Sequence, residues 1–198
     1  MNEEINKFFK KQLDDFVAFR KALTDESDRG CALFAAAFLD KALSDLLYLS
    51  LVANKKIESD LFDGNAPLAS FSARIKMAFY LGKISKECRA DLDTIRSIRN
   101  KFAHHAEIIS FDDKAIADQC KSLRFSYQEN KHRARGHFTA AVSGLLAAIQ
   151  KAAIETVGPE HKPDDSPTKE EKAAMREKAK NAVERVTKRP NGEQATDA

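Results

Sequence analysis

Scarcity of chain-breaking residues constrains this chain more than any other feature. It has seven Gly and five Pro among 198 residues. An all-β chain turns tightly every few residues and draws on Gly and Pro to do so. This one cannot, and its apolar residues recur at three- and four-residue spacing rather than alternating. With 43% hydrophobic residues there is enough apolar material for a core, which excludes wholesale disorder. The expectation is an all-α helical bundle of five to six core helices with an accessory C-terminal helix.

Breakers and caps place the elements. A first helix runs from about Glu3 to Leu23, with Ile5, Phe9, Phe16 and Leu23 on one side. Ser27 caps a second, with Asp28 in its first turn where a negative charge suits the helix dipole. It runs to about Ala53. Asp63 to Pro67 reads as a turn, Leu68 to Leu81 as a third helix stopped by Gly82, and Ser85 as the cap of a fourth running to about His104. A short helix follows Asp112, and a long Ala-rich one runs from about Gly136 to Val157. The domain organisation read from this is a bundle over 1–157, a linker over 158–167, a solvent-exposed helix over 168–187 and a disordered tail over 188–198. Thr168 and Glu171 form a capping box at the start of the exposed helix.

Charge excludes some function classes. The 33 basic and 30 acidic residues leave a net charge of +3, too balanced for wholesale DNA coating. Cys31, Cys88 and Cys120 are scattered and form no metal-ligand pair, so no metal site and no cofactor is expected. His104 and His105, though adjacent and near Asp112 and Asp113, point about 100° apart on a helix and do not chelate one ion. His132 and His137 offer no better ligand set. The N-terminus interrupts its apolar residues with charges, and the longest apolar run, Cys31 to Leu39, is short of the ~20 residues a membrane span needs. The expectation is a soluble cytoplasmic protein without a membrane partner.

Three helices carry charges on their apolar faces. Asp40 and Arg29 lie in the stripe of the second helix, Arg74 in that of the third, and Arg99 in that of the fourth. Arginine cannot shed its charge, so these groups need partners. Two readings stay open. In one, Asp40 and Asp28 pair with Arg74, Arg99 or Arg29 inside the bundle. In the other, the arginines line a pocket for an anion. The most basic stretch, 121–137, holds Lys121, Arg124, Lys131, Arg133 and Arg135 with Phe125 and Tyr127 between them. It reads either as a solvated connection or as a nucleic-acid surface of phosphate contacts and stacking.

Three ordered segments carry a family resemblance: Glu26-Ser-Asp-Arg-Gly-Cys-Ala-Leu33, Asn65-Ala-Pro-Leu-Ala-Ser-Phe-Ser-Ala-Arg-Ile75 and Asp91-Leu-Asp-Thr-Ile-Arg-Ser-Ile-Arg-Asn-Lys-Phe-Ala-His104. Together they resemble the mannitol operon repressor family of bacterial regulators, over about residues 24–113. That resemblance implies an all-helical fold and a transcriptional repressor of a carbohydrate-uptake operon. The sequence shows no helix-turn-helix with an exposed basic second helix, no zinc finger and no basic zipper. Action through a protein partner is therefore expected, and the Phe-rich first helix suggests a homodimer contact as well. The third segment is also similar to the R-N-x-x-x-H signature of HEPN domains, many of which are metal-independent ribonucleases. Carried over, that resemblance implies Arg99 stabilising phosphate charge, Asn100 orienting the site and His104 transferring a proton. On a regular helix Arg99 and His104 are about 140° apart, so convergence requires the helix to end near His104 or a second copy to contribute.

Overall fold

The computed structural model describes residues 17–104, 106–129 and 133–187. The expectations placed on residues 1–16, His105, Lys131, His132 and 188–198 lie outside them. The described residues form eight helices and no strand: α1 (17–25), α2 (Asp28–Ser50), α3 (Lys55–Phe62), α4 (Phe71–Tyr80), α5 (Lys86–His104), α6 (Lys114–Lys121), α7 (Ala134–Glu155) and α8 (Lys169–Thr187).

Local chemistry sets most of these boundaries. The Gly30 N–H donates to Ser27 Oγ at 3.0 Å, the Ala73 N–H to Ser70 Oγ at 3.2 Å and the Cys88 N–H to Ser85 Oγ at 3.1 Å. α4 ends in a Schellman motif. Gly82 adopts φ +68°, its N–H donates to the Phe79 carbonyl, and the Lys83 N–H donates to the Ala78 carbonyl, both at 2.9 Å. At α8 the capping box forms in both directions, Glu171 N–H to Thr168 Oγ1 at 3.2 Å and Thr168 N–H to Glu171 Oε2 at 2.8 Å.

One helix departs from the sequence reading. α3 lies between the expected second helix and the Asp63 to Pro67 turn, where the sequence reading assigns no element, and only Phe62 in it is buried. Asn54 stands in for the usual Ser or Thr cap: its Oδ1 accepts the Ile57 N–H, and its own N–H donates to Glu58 Oε1, both at 3.2 Å. The third helix also starts later than expected, at Phe71, because Ser70 supplies the cap while the N–H of Leu68 is used on the Leu61 carbonyl.

The chain divides into two units, Met1–Glu160 and His161–Ala198. In the first, α2 is central and packs against α4, α5 and α7. Fully buried Phe102, Phe111 and Phe138 pack in series as tilted rings, with centroids 5.0 and 4.9 Å apart, and join α5, the α5–α6 connection and α7. Tyr48 and Phe62, 4.4 Å apart, fix α3 to the end of α2. α7 is long and apolar enough to cross a membrane by length and composition alone, with mean hydropathy 1.2. Thr139, Ser143 and Gln150 interrupt it, so it holds no long unbroken apolar run. Its buried residues, from Ala134 to Ile149, face the bundle core. In the second unit, α8 buries none of its residues.

Candidate functional site

The charges on the apolar faces resolve into two separate clamps rather than one network. In the first, Arg74 projects from α4 toward α2 and donates through Nη1 to Asp40 Oδ1 at 2.8 Å. Its Nε donates to the Leu68 carbonyl at 2.9 Å and its Nη2 to the Phe62 carbonyl at 3.5 Å. The guanidinium also lies 5.9 Å from the Phe62 ring centroid. Arg74 therefore ties both ends of the α3–α4 connection to the central helix.

The second clamp is at the start of α2. Asp28 Oδ1 accepts from Arg135 Nη1 at 2.9 Å, and Asp28 Oδ2 accepts the Phe111 N–H, also at 2.9 Å. Arg135 Nη2 reaches the carbonyls of Leu23, Thr24 and Glu26, which are the C-terminal carbonyls of α1 and its turn into α2. One arginine on α7 thus closes the α1–α2 connection and shares a carboxylate with the α5–α6 connection. This corrects two expectations. Arg135 was grouped with a nucleic-acid surface, yet its guanidinium turns inward. Asp28 was expected to pair with Arg29, Arg74 or Arg99, yet its cationic partner is Arg135. Periodicity within one helix shows that a charge faces inward but not which distant element meets it.

Arg29 and Arg99 join neither pair. Arg29 Nη2 donates to the Glu107 carbonyl at 3.3 Å. Arg99 Nη1 donates to Asn100 Oδ1 at 3.0 Å, and both residues are half-buried. His104 is exposed on the last residue of α5. The same face carries Arg89, Asp93 and Arg96: Asp93 lies 3.8 Å from Arg89 Nε and 3.6 Å from Arg96 Nε, and the Arg89 guanidinium rests 4.9 Å from the Phe79 ring centroid. Lys101 faces away from them, to Gln119 Oε1 at 2.6 Å.

Within 121–137, Lys121, Arg124 and Arg133 are exposed. Arg124 lies 3.7 Å from Glu87. Phe125 packs against the core, so Tyr127 is the exposed aromatic of the stretch. The Phe125 N–H donates to Asp91 Oδ2 at 2.8 Å. Asp91 is the buried carboxylate that the sequence reading missed, although it lies four residues before Ile95 on the stripe of α5. Burial pushes its carboxyl above the ordinary value of 3.8, and the N–H groups of Phe125 and Arg124 oppose that rise. Arg20 was also missed. Its Nη1 reaches Ser143 Oγ at 2.8 Å and the Thr139 carbonyl at 3.3 Å, binding α1 to α7. His137 is buried, with Nδ1 3.2 Å from Ser126 Oγ.

Among the described residues no group of His, Cys, Asp or Glu has metal-binding geometry. The three cysteines are buried free thiols. Burial pushes Cys31 up to about 11, and Cys88 and Cys120 up to about 12. A thiol held protonated in this way is not an activated nucleophile.

Fold and clamps together define an all-helical bundle whose inward charges hold its connections to a central helix. A family model described as MtlR, mannitol repressor, matches residues 23–157, and the chain belongs to that family. Among solved structures, the bundle is similar to a chain of "X-ray structure of the MtlR-HPr complex from Escherichia coli", with a TM-score of 0.56 and 18% sequence identity. The similarity covers 67% of this chain and 98% of that one. No curated protein matches the chain.

Proposed function

We propose that this chain is a transcriptional repressor of a bacterial carbohydrate-uptake operon, that it works in the cytoplasm, and that it acts by binding another protein. The observation that carries this reading is the family match, which spans every helix from α2 to α7. The similar chain from Escherichia coli was solved in complex with HPr, so an HPr from this protein's own host is the partner to test first. The second clamp supports action through protein contact. It commits Arg135 to holding connections together and removes one charge from the stretch best suited to bind nucleic acid. The test is titration calorimetry of the purified chain with that HPr, beside a mannitol-operon reporter in a host with the gene deleted and restored. Saturable binding together with raised reporter output in the deletion supports the reading. Unchanged reporter output refutes it.

A second reading, a metal-independent ribonuclease, is favoured by one observation. α5 ends at His104, the condition that convergence of Arg99 and His104 within one copy requires. RNA cleavage in the presence of a chelator, abolished by His104→Ala, is its expected signature. Cleavage that survives the substitution belongs to a contaminant. A nucleic-acid surface built on Lys121, Arg124, Lys131 and Arg133 predicts binding that weakens steeply with salt.

A further inference from the structure

The central helix has an outer face as well as its buried one. Leu33, Phe34, Ala37, Lys41, Asp45 and Leu49 are all exposed and fall on one stripe of α2. Phe34 is 38% and Leu49 50% exposed, large values for apolar side chains on the helix that organises the core. From Leu33 to Leu49 the stripe is about 24 Å long. At one end lies an open groove of about 380 Å³ lined by Ala18, Phe19, Ala22, Phe34 and Phe38. Phe19 stacks on Phe38 there at 4.3 Å, which leaves the groove walls rigid and apolar.

The charge order along the stripe suggests what covers it. Its two charges, Lys41 and Asp45, are opposite in sign and four residues apart, and they pair with each other along the helix. A second α2 laid antiparallel, with the two-fold axis at the level of residue 43, sets Lys41 of each copy opposite Asp45 of the other. The same operation sets Ala37 opposite Leu49 and Phe38 opposite Tyr48, and brings Leu49 of each copy to the level of the other copy's phenylalanine groove. The face is thus complementary to itself in charge and in shape, as an isologous interface requires. A parallel pairing in register places like charges side by side and is disfavoured.

We propose that the outer face of α2 is a homodimer interface, with Leu49 of each copy seated in the Phe34–Phe38 groove of the other and reciprocal Lys41–Asp45 pairs across the two-fold axis. A single helix face of this length lies toward the low end of specific interfaces, so the dimer is reversible and forms at roughly micromolar concentration. The interface does not depend on the regulatory reading above.

Sedimentation equilibrium of the full chain over a concentration series tests it. The expected result is a mass rising from 22.1 kDa toward twice that value. Leu49→Asp abolishes the rise. Lys41→Glu or Asp45→Lys alone weakens dimerisation about tenfold or more, by setting like charges across the axis. The double substitution Lys41→Glu/Asp45→Lys restores it, because the cross-pairs re-form with their signs exchanged. Loss of the helical circular dichroism spectrum in any variant excludes that variant, and the charge-swap pair keeps the test decisive because both positions are exposed. A chain that stays monomeric overturns the proposal. So does a dimer indifferent to Leu49→Asp and to both single charge reversals, which would place the contact on another face.

Discussion

Asp91 shows how a single buried carboxylate can hold a connection in place. It accepts the N–H of Phe125 from within the core face of α5, so it replaces water for a backbone donor that the fold has buried. Asp91→Ala leaves that donor unpaired, and the expected loss is about 1–3 kcal/mol in chemical denaturation. Asp91→Asn keeps an acceptor oxygen and sheds the cost of a buried charge, so it loses less. The sign of the pH dependence follows from the raised carboxyl. Between the ordinary value of 3.8 and the raised one, the folded protein holds a proton that the unfolded chain has released. Stability therefore falls as pH rises through that window. A pH series of melting temperatures in wild type and Asp91→Asn checks it, and the variant should lose that part of the slope. The clamp residue Asp40 matters through the cation it meets. With the Arg74 side chain only 14% exposed, Asp40→Ala strands a charge that cannot neutralise, at an expected cost of about 2–3 kcal/mol. At this scale the sequence was readable in part. Wheel geometry marked Asp40 and Arg74 as inward, and the same geometry would have marked Asp91. It could not pair Asp28 with Arg135, because those residues are 107 positions apart and meet only once α7 lies across the start of α2.

Helix boundaries were readable wherever a side chain writes them. Ser27, Ser85 and Thr168 cap helices, and Gly82 ends one, because each supplies a donor, an acceptor or a backbone conformation locally, whereas the sequence reading passes over the Ser70 cap of α4 for a start at Leu68. α3 was not readable because Ile57, Leu61 and Phe62 span less than two turns, too short a stretch to establish a period, and it is held where Leu61 and Phe62 meet the core and Tyr48. Gly144 is a different case, a glycine within α7 that looks like a defect by propensity. A Cβ there would lie 2.6 Å from the Phe125 carbonyl oxygen, so the connection held by Asp91 crosses α7 where no side chain projects. Alanine in a helix interior ordinarily gains about 1 kcal/mol over glycine. Gly144→Ala should instead destabilise by roughly 1–3 kcal/mol, because the atom it meets is backbone and cannot swing aside. Chemical denaturation of wild type and Gly144→Ala checks the sign, and a gain in stability would mean that the Phe125 connection gives way to the added methyl.

At the scale of the whole molecule the two units should behave differently on heating. The larger one has a continuous core running from Phe19 through Ile149, and its connections are tied to α2 by Arg74 and Arg135 and to α5 by Asp91. Such a unit melts cooperatively. α8 buries nothing, and a lone helix of 19 residues in water rests on its capping box and on its mainly Ala, Lys and Glu composition. Its helicity should decline gradually from low temperature, as a slope ahead of the main transition. Removing residues 161–198 is expected to flatten that slope and leave the midpoint of the main transition where it was. The buried thiols give an independent reading of the same cooperativity. Cys31, Cys88 and Cys120 lie in three different helices and are all held protonated by burial. At mildly alkaline pH the folded chain should resist an alkylating reagent at all three, and labelling should appear only as the bundle opens. If the unit is one cooperative body, the three cysteines label together, with a single rate that tracks the main transition. Early labelling of Cys120 alone would mean that α6 opens independently of α2 and α5.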